Sequence, residues 1–296
     1  HLPINITLTG CTFLDGAALQ FVGGAGAAES AGVLIRVSRT VMRSSVVAFA
    51  AAFPQHCDIT ITEVDAVQSS AVHLPDTVNN KLIVVMLHEV VLTDSSLLVS
   101  NVNAHAMRRD AFGLYSIGTL TLVRGSSLYV RHCSFDGYTH LFYVNILGVS
   151  DHSVFALLKN IMFSGTSLLY QHSRFSVSEH SVLRVVGNSG SVSNAIVTDD
   201  SWTVQRSSWL DWRDNDVGVG AMLYDTESAF VSIGSSGDAD GLQDGLDGFV
   251  GILAETGWGR LPVRCRVPDG RGTCGDDGGR TGALRHHQRD DGCGVR

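Results

Sequence analysis

Two tryptophans and three aspartates lie close together near residue 210, and these residue types are suited to holding a sugar. They are Trp209, Asp211, Trp212, Asp214 and Asp216. Paired carboxylates act on glycosidic bonds, and aromatic rings provide platforms for sugar rings. Asp214 and Asp216 share one face of a regular strand, whereas Asp211 and Asp214 do not, because side chains alternate along a strand. We therefore predict a ligand-binding site in this cluster and assign it no catalytic residue.

Two tripeptides have the residue types of an acid–base–nucleophile set. They are Asp151-His152-Ser153 and Glu179-His180-Ser181. Consecutive residues on a strand point to opposite faces, so these sets cannot form a catalytic relay by themselves. They are interpreted as turns before strands. If the two segments stack in register, His152 and His180 lie near each other and repel when protonated below about pH 6.5.

The remaining chemistry-bearing residues exclude several classes of site. None of the six cysteines forms a CxxC pair, so zinc ribbons and thioredoxin-type sites have no support. Asp214, Asn215 and Asp216 offer oxygen ligands for calcium, but three residues do not specify a site. We therefore predict no metal and no cofactor. The sequon at Asn5 predicts N-glycosylation.

The overall charge excludes a further class of partner. The formal net charge is −8 and the basic residues do not cluster, so no nucleic-acid partner is predicted. The longest apolar run, from Leu82 to Leu87, is too short to cross a bilayer. Membrane contact is therefore expected only through parts of a longer parent protein.

A short pattern of alternating apolar residues around a serine recurs along the first 236 residues. The serines are spaced 20 to 31 residues apart, and we take them as anchors: Ser45, Ser70, Ser96, Ser127, Ser153, Ser181, Ser208 and Ser228. Short strands that return at this interval predict an all-β fold, a right-handed parallel β-helix of about eight coils. A β-propeller, whose unit is normally longer, and a β-sandwich are the alternatives.

Asparagine recurs seven residues after four of these anchors. The positions are Asn103, Asn160, Asn188 and Asn215. Stacked identical side chains can satisfy one another's buried polar groups along the axis of a solenoid. We therefore predict a structural asparagine ladder at these positions.

Serine stops abruptly at Ser236, and glycine, arginine and aspartate take its place. Because serine is the anchor of each coil, the loss of serine predicts the loss of the repeat. We therefore divide the chain into a β-helix repeat region, residues 1–236, and a disordered or non-native tail, residues 237–296.

Three long segments resemble the dispersed gene family proteins of trypanosomal parasites. They are Phe112–Leu122, His132–His140 and Ser207–Asp216. The resemblance covers about Ile4 to Ser236 and implies a very large surface or secreted protein, with pectin-lyase-like β-helical repeats and membrane segments further along. It implies an adhesin-like role, and no catalytic residues are carried over from it. The departure after Ser236 is interpreted as a frameshift in an internal fragment of such a protein.

The predicted function is therefore contact with a ligand at a cell surface, without catalysis. Extracellular matrix and glycans are the expected partners. The alternatives are a carbohydrate-active β-helix enzyme, either a polysaccharide lyase or a hydrolase, and a non-functional pseudogene product.

Overall fold

A computed structural model describes most of the first two thirds of the chain. The described ranges are 4–14, 16–22, 32–52, 56–69, 81–107 and 111–198, followed by the short segments 202–204, 208–213, 215–216, 221–225, 231–234, 264–266 and 273–274. All regular structure in these ranges is β.

The described strands are numbered in chain order. They are β1 Ile4–Thr9, β2 Thr12–Phe13, β3 Ala18–Val22, β4 Val33–Arg43, β5 Val46–Ala52, β6 Asp58–Gln68, β7 Leu82–Thr93, β8 Ser96–Ala106, β9 Ala111–Val123, β10 Ser127–Arg131, β11 Ser134–Asp136, β12 His140–Val149, β13 Val154–Leu158, β14 Ile161–Val177, β15 Val182–Val186, β16 Ser189–Thr198, β17 Trp202–Val204, β18 Trp209–Arg213, β19 Ala221–Asp225, β20 Val231–Gly234, β21 Arg264–Arg266 and β22 Thr273–Cys274.

Strands β1 to β20 pair in parallel, each with its counterpart one coil later, so the fold is a parallel β-helix. Strand β22 pairs antiparallel with β21. A complete coil passes through four stacked sheets, which we number in chain order. Sheet 1 contains β10, β13 and β15; sheet 2 contains β11 and the start of β14; sheet 3 contains β5 and the start of β12; sheet 4 contains β17 and β20. Long strands such as β8 bend at a corner and contribute to two sheets.

Coils are counted from their first residue in sheet 1. Coils 1 to 8 begin at Ile4, Val33, Asp58, Ser96, Ser127, Val154, Val182 and Trp209. Coils 3 to 8 contain all four sheets. In coil 8, sheet 2 consists only of Asp216, which forms a bridge to Ser189. In the described part of the chain, coil 1 has no sheet 4 strand, and coil 2 reaches sheet 4 only through Ala52, which pairs with Val91. The expected count of about eight coils is thus corrected to about six complete ones.

Alternation of apolar and polar residues builds the core between the sheets. Leu128, Phe155 and Leu183 are register partners in successive coils, and each is fully buried. Each inward side chain therefore packs on its counterpart above and below. Burial of a large apolar side chain contributes about 1.5–3 kcal/mol, so these repeated columns hold the coils together.

The predicted anchor serines do not all lie in one column of the structure. The stacked serines before sheet 1 are Ser95, Ser126, Ser153, Ser181 and Ser208. Ser96 and Ser127 lie one residue later, and Ser45 lies at the corner before sheet 3. Ser70 and Ser228 lie outside the described residues. The stacked serines link successive coils, since the Ser181 hydroxyl accepts a hydrogen bond from Ser153 N at 3.0 Å.

The corner between sheets 1 and 2 has the same backbone conformation in each of the first seven coils. One residue there has positive φ: Gly10, Arg39, Glu63, Asn101, His132, Lys159 and Gly187. The left-handed conformation costs a residue other than glycine about 1–2 kcal/mol. It turns the chain sharply, so that the next residue enters the core, and this repeated corner fixes the register of the coils.

The predicted tail falls almost entirely outside the described residues. Only Arg264–Arg266 and Thr273–Cys274 are described beyond residue 236, and β21 adds in parallel to β20. The disordered tail and the frameshift remain predictions. In the described ranges no helix has the length and hydrophobicity needed to span a membrane.

Candidate functional site

The predicted tryptophan–aspartate cluster is divided between two sheets. Trp209, Asp211 and Trp212 belong to β18 of sheet 1, where their register partners are Val182, Arg184 and Val185. Asp216 is exposed and bridges Ser189 in sheet 2. Asp214 and the side chains of β18 lie outside the described residues.

The strand register further separates the two tryptophans. Trp212 pairs with Val185, a fully buried core residue, whereas Asp211 pairs with Arg184 in the alternate column. Successive residues of a strand belong to opposite faces of a sheet. Asp211 and Trp212 therefore lie in different register columns of sheet 1, and Asp216 lies in sheet 2.

Three of the four predicted ladder asparagines are hydrogen-bonded to one another. Asn160 Nδ2 donates to Asn188 Oδ1 at 3.0 Å, and Asn188 Nδ2 donates to Asn215 Oδ1 at 2.9 Å. The backbone N–H groups of Asn160 and Asn188 donate to the same two oxygens. This arrangement satisfies buried amides in successive coils.

Asn103 does not join this ladder. It is exposed, and its register partner in the next coil is Ser134. The ladder column in those two coils contains the buried residues Val102 and Cys133, and Cys133 N donates to Asn160 Oδ1 at 3.1 Å. The asparagine ladder therefore occupies only the later coils, whereas in coils 3 to 5 the same corner contains Val64, Val102 and Cys133.

The two histidine tripeptides lie at a turn on the surface. The rings of His152 and His180 stack with centroids 5.2 Å apart, as the register hypothesis expected. His152 Nδ1 contacts Asp151 Oδ1 at 3.1 Å, while Ser153 is fully buried. The three consecutive residues are thus separated by burial and form no catalytic relay.

Other predicted features can be placed directly. Asn5 is exposed on β1, and Thr7 Oγ1 donates a hydrogen bond to its Oδ1 at 3.0 Å. Cys57 and Cys133 are buried cysteines, and burial raises the pKa of the Cys133 thiol to about 12. No group of three histidine, cysteine or acidic residues suited to a metal occurs in the ranges the structure describes.

An aromatic surface on sheet 3 was missed by the sequence reasoning. We call it the aromatic strip, and it consists of Lys81, Phe112, Tyr115, His140, Tyr143, Tyr170 and His172. It lies outside the main core and includes part of a separate apolar cluster with Ile83 and Met86.

Three tyrosines form the centre of the aromatic strip. Tyr115, Tyr143 and Tyr170 are register partners in coils 4, 5 and 6. Their ring centroids are 4.6 and 5.0 Å apart, and the planes differ by 11° and 8°. The ring separation equals the spacing of parallel strands, so the coil spacing itself imposes the stack.

Lys81 places a positive charge at one end of this stack. Its Nζ lies 4.4 Å from the Tyr115 ring centroid and 4.9 Å from that of Phe112, and it donates to Tyr115 Oη at 2.8 Å. A cation over aromatic faces is attracted by about 0.5–2 kcal/mol. The rings and the hydroxyl therefore fix the ammonium group over the sheet.

His140 is the neutral partner of this cation. Burial, and to a lesser extent the charge on Lys81, lower the pKa of His140 to about 4. Its Nδ1 lies 2.7 Å from Ser167 Oγ, and its ring stacks on Phe112. At neutral pH the His140 ring is therefore uncharged, and the ring and Lys81 Nζ both lie against Phe112.

Exposure of the strip increases along the solenoid axis. Phe112 and Tyr115 are only 5% and 8% exposed, Tyr143 and Tyr170 are half-buried, and His172 is exposed. A ligand can therefore contact the later rings. The sequence signal that could have found them is the recurrence of tyrosine at intervals of 28 and 27 residues.

Comparison with protein families identifies the chain. A model of the DGF-1 beta-sheet domain matches residues 5–160, which is more than half of the sequence. The chain belongs to the DGF-1 family, the dispersed gene family 1 of trypanosomes. The DGF-1 match includes Lys81, Tyr115 and Tyr143, and it fits a β-helical surface protein. Searches among curated proteins and among solved structures gave no match.

Proposed function

We propose that this chain binds a glycan on the aromatic strip, as the ligand-contacting part of an adhesive surface or secreted protein, without catalysis. The observation that supports this most directly is the run of stacked tyrosines with a lysine at its end. The rings lie on the outer side of a long sheet, where a polymer can lie along the solenoid.

The chemistry of the strip favours a saccharide with an acidic group. Aromatic side chains offer an apolar body with a polar tip, which suits the mixed surface of a sugar ring. Lys81 is half-buried, and its ammonium carries three N–H donors, one of which bonds Tyr115. A carboxylate or sulfate of the ligand would accept from this group while the sugar ring lies against Tyr143 and Tyr170.

A glycan array with the full chain tests the proposal. We expect binding to uronic-acid or sulfated saccharides, and Tyr170→Ala should weaken it about 3- to 10-fold, since one aromatic contact contributes about 0.5–1.5 kcal/mol. The matched control is Tyr129→Ala, which removes another half-buried tyrosine, in sheet 1. Equal loss in both variants, or binding to matrix proteins but to no saccharide, would contradict the proposal.

The two lysines of the chain provide a second matched pair. Lys81→Gln should weaken binding about fivefold and reduce its salt sensitivity, because exposed charge pairs contribute up to about 1 kcal/mol and are screened by salt. Lys159, the other lysine, is exposed at the corner between sheets 1 and 2. Lys159→Gln should leave binding and its salt dependence unchanged.

A carbohydrate-active enzyme is the alternative. The register of β18 with β15 pairs Asp211 with Arg184, which supplies one carboxylate and one guanidinium on sheet 1. Glycosidases use two carboxylates. Incubating the full chain with any saccharide that it binds, and assaying new reducing ends and unsaturated products, separates the two functions. We expect neither product.

A further inference from the structure

Sheet 2 has an exposed apolar surface that the proposed glycan site does not use. Six of the eight large apolar residues that are exposed in the described ranges lie on this sheet or directly after its strands, and they are 38–66% exposed: Leu14, Val41, Val67, Met107, Ile161 and Phe163. Such clustering of exposed apolar residues marks an interaction surface.

The middle of this surface is polar. His105 and Asp136 are register partners in coils 4 and 5, both are exposed, and His105 Nδ1 lies 2.9 Å from Asp136 Oδ2. In the same outer column Val67 precedes His105 and Phe163 follows Asp136. The order along the axis is therefore apolar, basic, acidic, apolar.

This order is self-complementary about a twofold axis, and we propose that sheet 2 is the interface of a homodimer. The axis runs along the strand direction, between His105 and Asp136. Two copies then pack face to face with their solenoid axes antiparallel. A twofold interface uses the same patch on both copies, which is what this sequence of residues provides.

The polar groups at the centre agree with this arrangement. His105 of one copy lies opposite Asp136 of the second copy, and the same contact recurs on the other side of the axis. The four groups form a square in which each imidazole neighbours two carboxylates. Electrostatic complementarity of this kind fixes the register and excludes alternative alignments.

A second pair of charges is related by the same axis. Glu63 and Lys159 occupy equivalent corner positions in coils 3 and 6, and both are exposed. The rotation that places His105 against Asp136 exchanges coil 3 with coil 6, and therefore places Glu63 opposite Lys159 of the second copy. The arrangement was chosen from the outer column of sheet 2 that contains His105 and Asp136, so this corner pair supports it independently.

The apolar ends also meet. Val67 of coil 3 faces Phe163 of coil 6 in the second copy, and each buries a side chain that is 40% or 50% exposed in the single chain. Asp65 falls opposite Ile161, so complementarity is not complete. The contacts between the two copies extend from coil 3 to coil 6, about 15 Å by strand spacing. We therefore expect a weak, concentration-dependent dimer at the low end of interface sizes.

Sedimentation velocity of the full chain over a range of concentrations tests the dimer. We expect a monomer–dimer equilibrium, and Phe163→Asp should raise its Kd about tenfold or more, as for a central interface residue. The control is Val22→Asp, a change of an equally apolar residue that is 72% exposed in sheet 3. A chain that stays monomeric at its solubility limit, or equal effects of the two variants, overturns the proposal.

A charge-exchange experiment tests the register. Glu63→Lys and Lys159→Glu should each weaken self-association, because like charges then face each other twice. An equimolar mixture of the two variants should recover association, since both contacts regain opposite charges in the heterodimer. Failure of the mixture to recover would exclude this register. Glycan binding by Phe163→Asp should remain at the level of the unmodified chain, because the aromatic strip lies on sheet 3.

Discussion

Asn188 occupies the middle of the asparagine ladder and is fully buried. Its amide bonds Leu157 O and Asn215 Oδ1, while its oxygen accepts from Asn160. Asn188→Ala leaves several of these buried groups unpaired, and each such group costs about 1–3 kcal/mol. We expect a loss of at least about 2 kcal/mol in the free energy of unfolding, measured by urea denaturation.

Asn103 is the matched control for this substitution. It is exposed and lies one residue beyond the ladder column. Asn103→Ala should therefore change the stability by less than about 0.5 kcal/mol. A comparable loss in both variants would show that the ladder adds no specific stability.

His140 makes the stability depend on pH. Its pKa is about 4 in the folded chain, because burial disfavours the charged form, and about 6.5 in the unfolded chain. Between these values the unfolded chain binds more protons, so stability falls as the pH is lowered from about 6.5 to 4. The full effect corresponds to about 3 kcal/mol.

The measurement is urea denaturation at pH 7 and at pH 4.5. His140→Gln should lose less stability between these two values than the unmodified chain does. His172→Gln, which changes an exposed histidine of the same aromatic strip, should keep the full pH dependence. An unaltered pH dependence in His140→Gln would contradict the assignment.

The asparagines show how far residue spacing predicts position. Their recurrence predicted a ladder, and three of the four take part in it. Asn103 was misplaced because Ser95-Ser96 is a doublet, so the anchor was taken one residue too late. A slip of one residue moves a side chain to the opposite face of a strand, which turns an inward position into an exposed one.

At the level of elements, the turn between sheets 2 and 3 of coil 5 requires a glycine. Gly137 has φ of +74°, and a Cβ there would clash with the backbone oxygen of Ala106 in the preceding coil. Gly125 has φ of +70° in open space. Gly125→Ala should cost about 1 kcal/mol from backbone strain alone, and Gly137→Ala about 3–4 kcal/mol, because overpacking adds to the strain.

Thermal unfolding followed by circular dichroism measures both glycine variants. The difference between them reports the close approach of coils 4 and 5, since the two positions share the same backbone strain. Equal losses of stability would mean that the solenoid relaxes freely at Gly137.

The aromatic strip was only partly predictable from sequence. The three tyrosines recur with the repeat, so their alignment follows once the register is known. Lys81 does not belong to the repeat. It lies in coil 3, the longest coil, in which 38 residues separate Asp58 from its register partner Ser96. Its position over Phe112 depends on tertiary packing, which periodicity does not encode.

At the scale of the whole molecule, Asn5 is an exposed residue of β1, so its side chain is accessible for glycosylation. When the chain is secreted from a eukaryotic cell, we expect one N-linked glycan at this site, seen as a mobility shift after N-glycosidase treatment. Thr7→Ser keeps the sequon and the shift, whereas Thr7→Val removes both. Absence of a shift in the unmodified chain would refute the expected glycosylation.

The fold followed from the repeat because a parallel β-helix needs little more than a regular period and alternating apolar residues. The number of complete coils did not follow, since an anchor serine marks where a pattern recurs and not whether all four sheets form. The first anchor, Ser45, lies in coil 2, yet the described residues of this coil reach sheet 4 only through Ala52.

The repeated positive-φ corner between sheets 1 and 2 has a consequence for how such a chain can change length. Each coil meets its neighbours through the same backbone geometry, so a whole coil can be gained or lost while those on either side keep their contacts. Insertions or deletions of other lengths are tolerated where the strands on either side keep their register with the neighbouring coils, as in the long coil 3. Recombination between related genes at matching corners would therefore yield solenoids of different lengths that still fold.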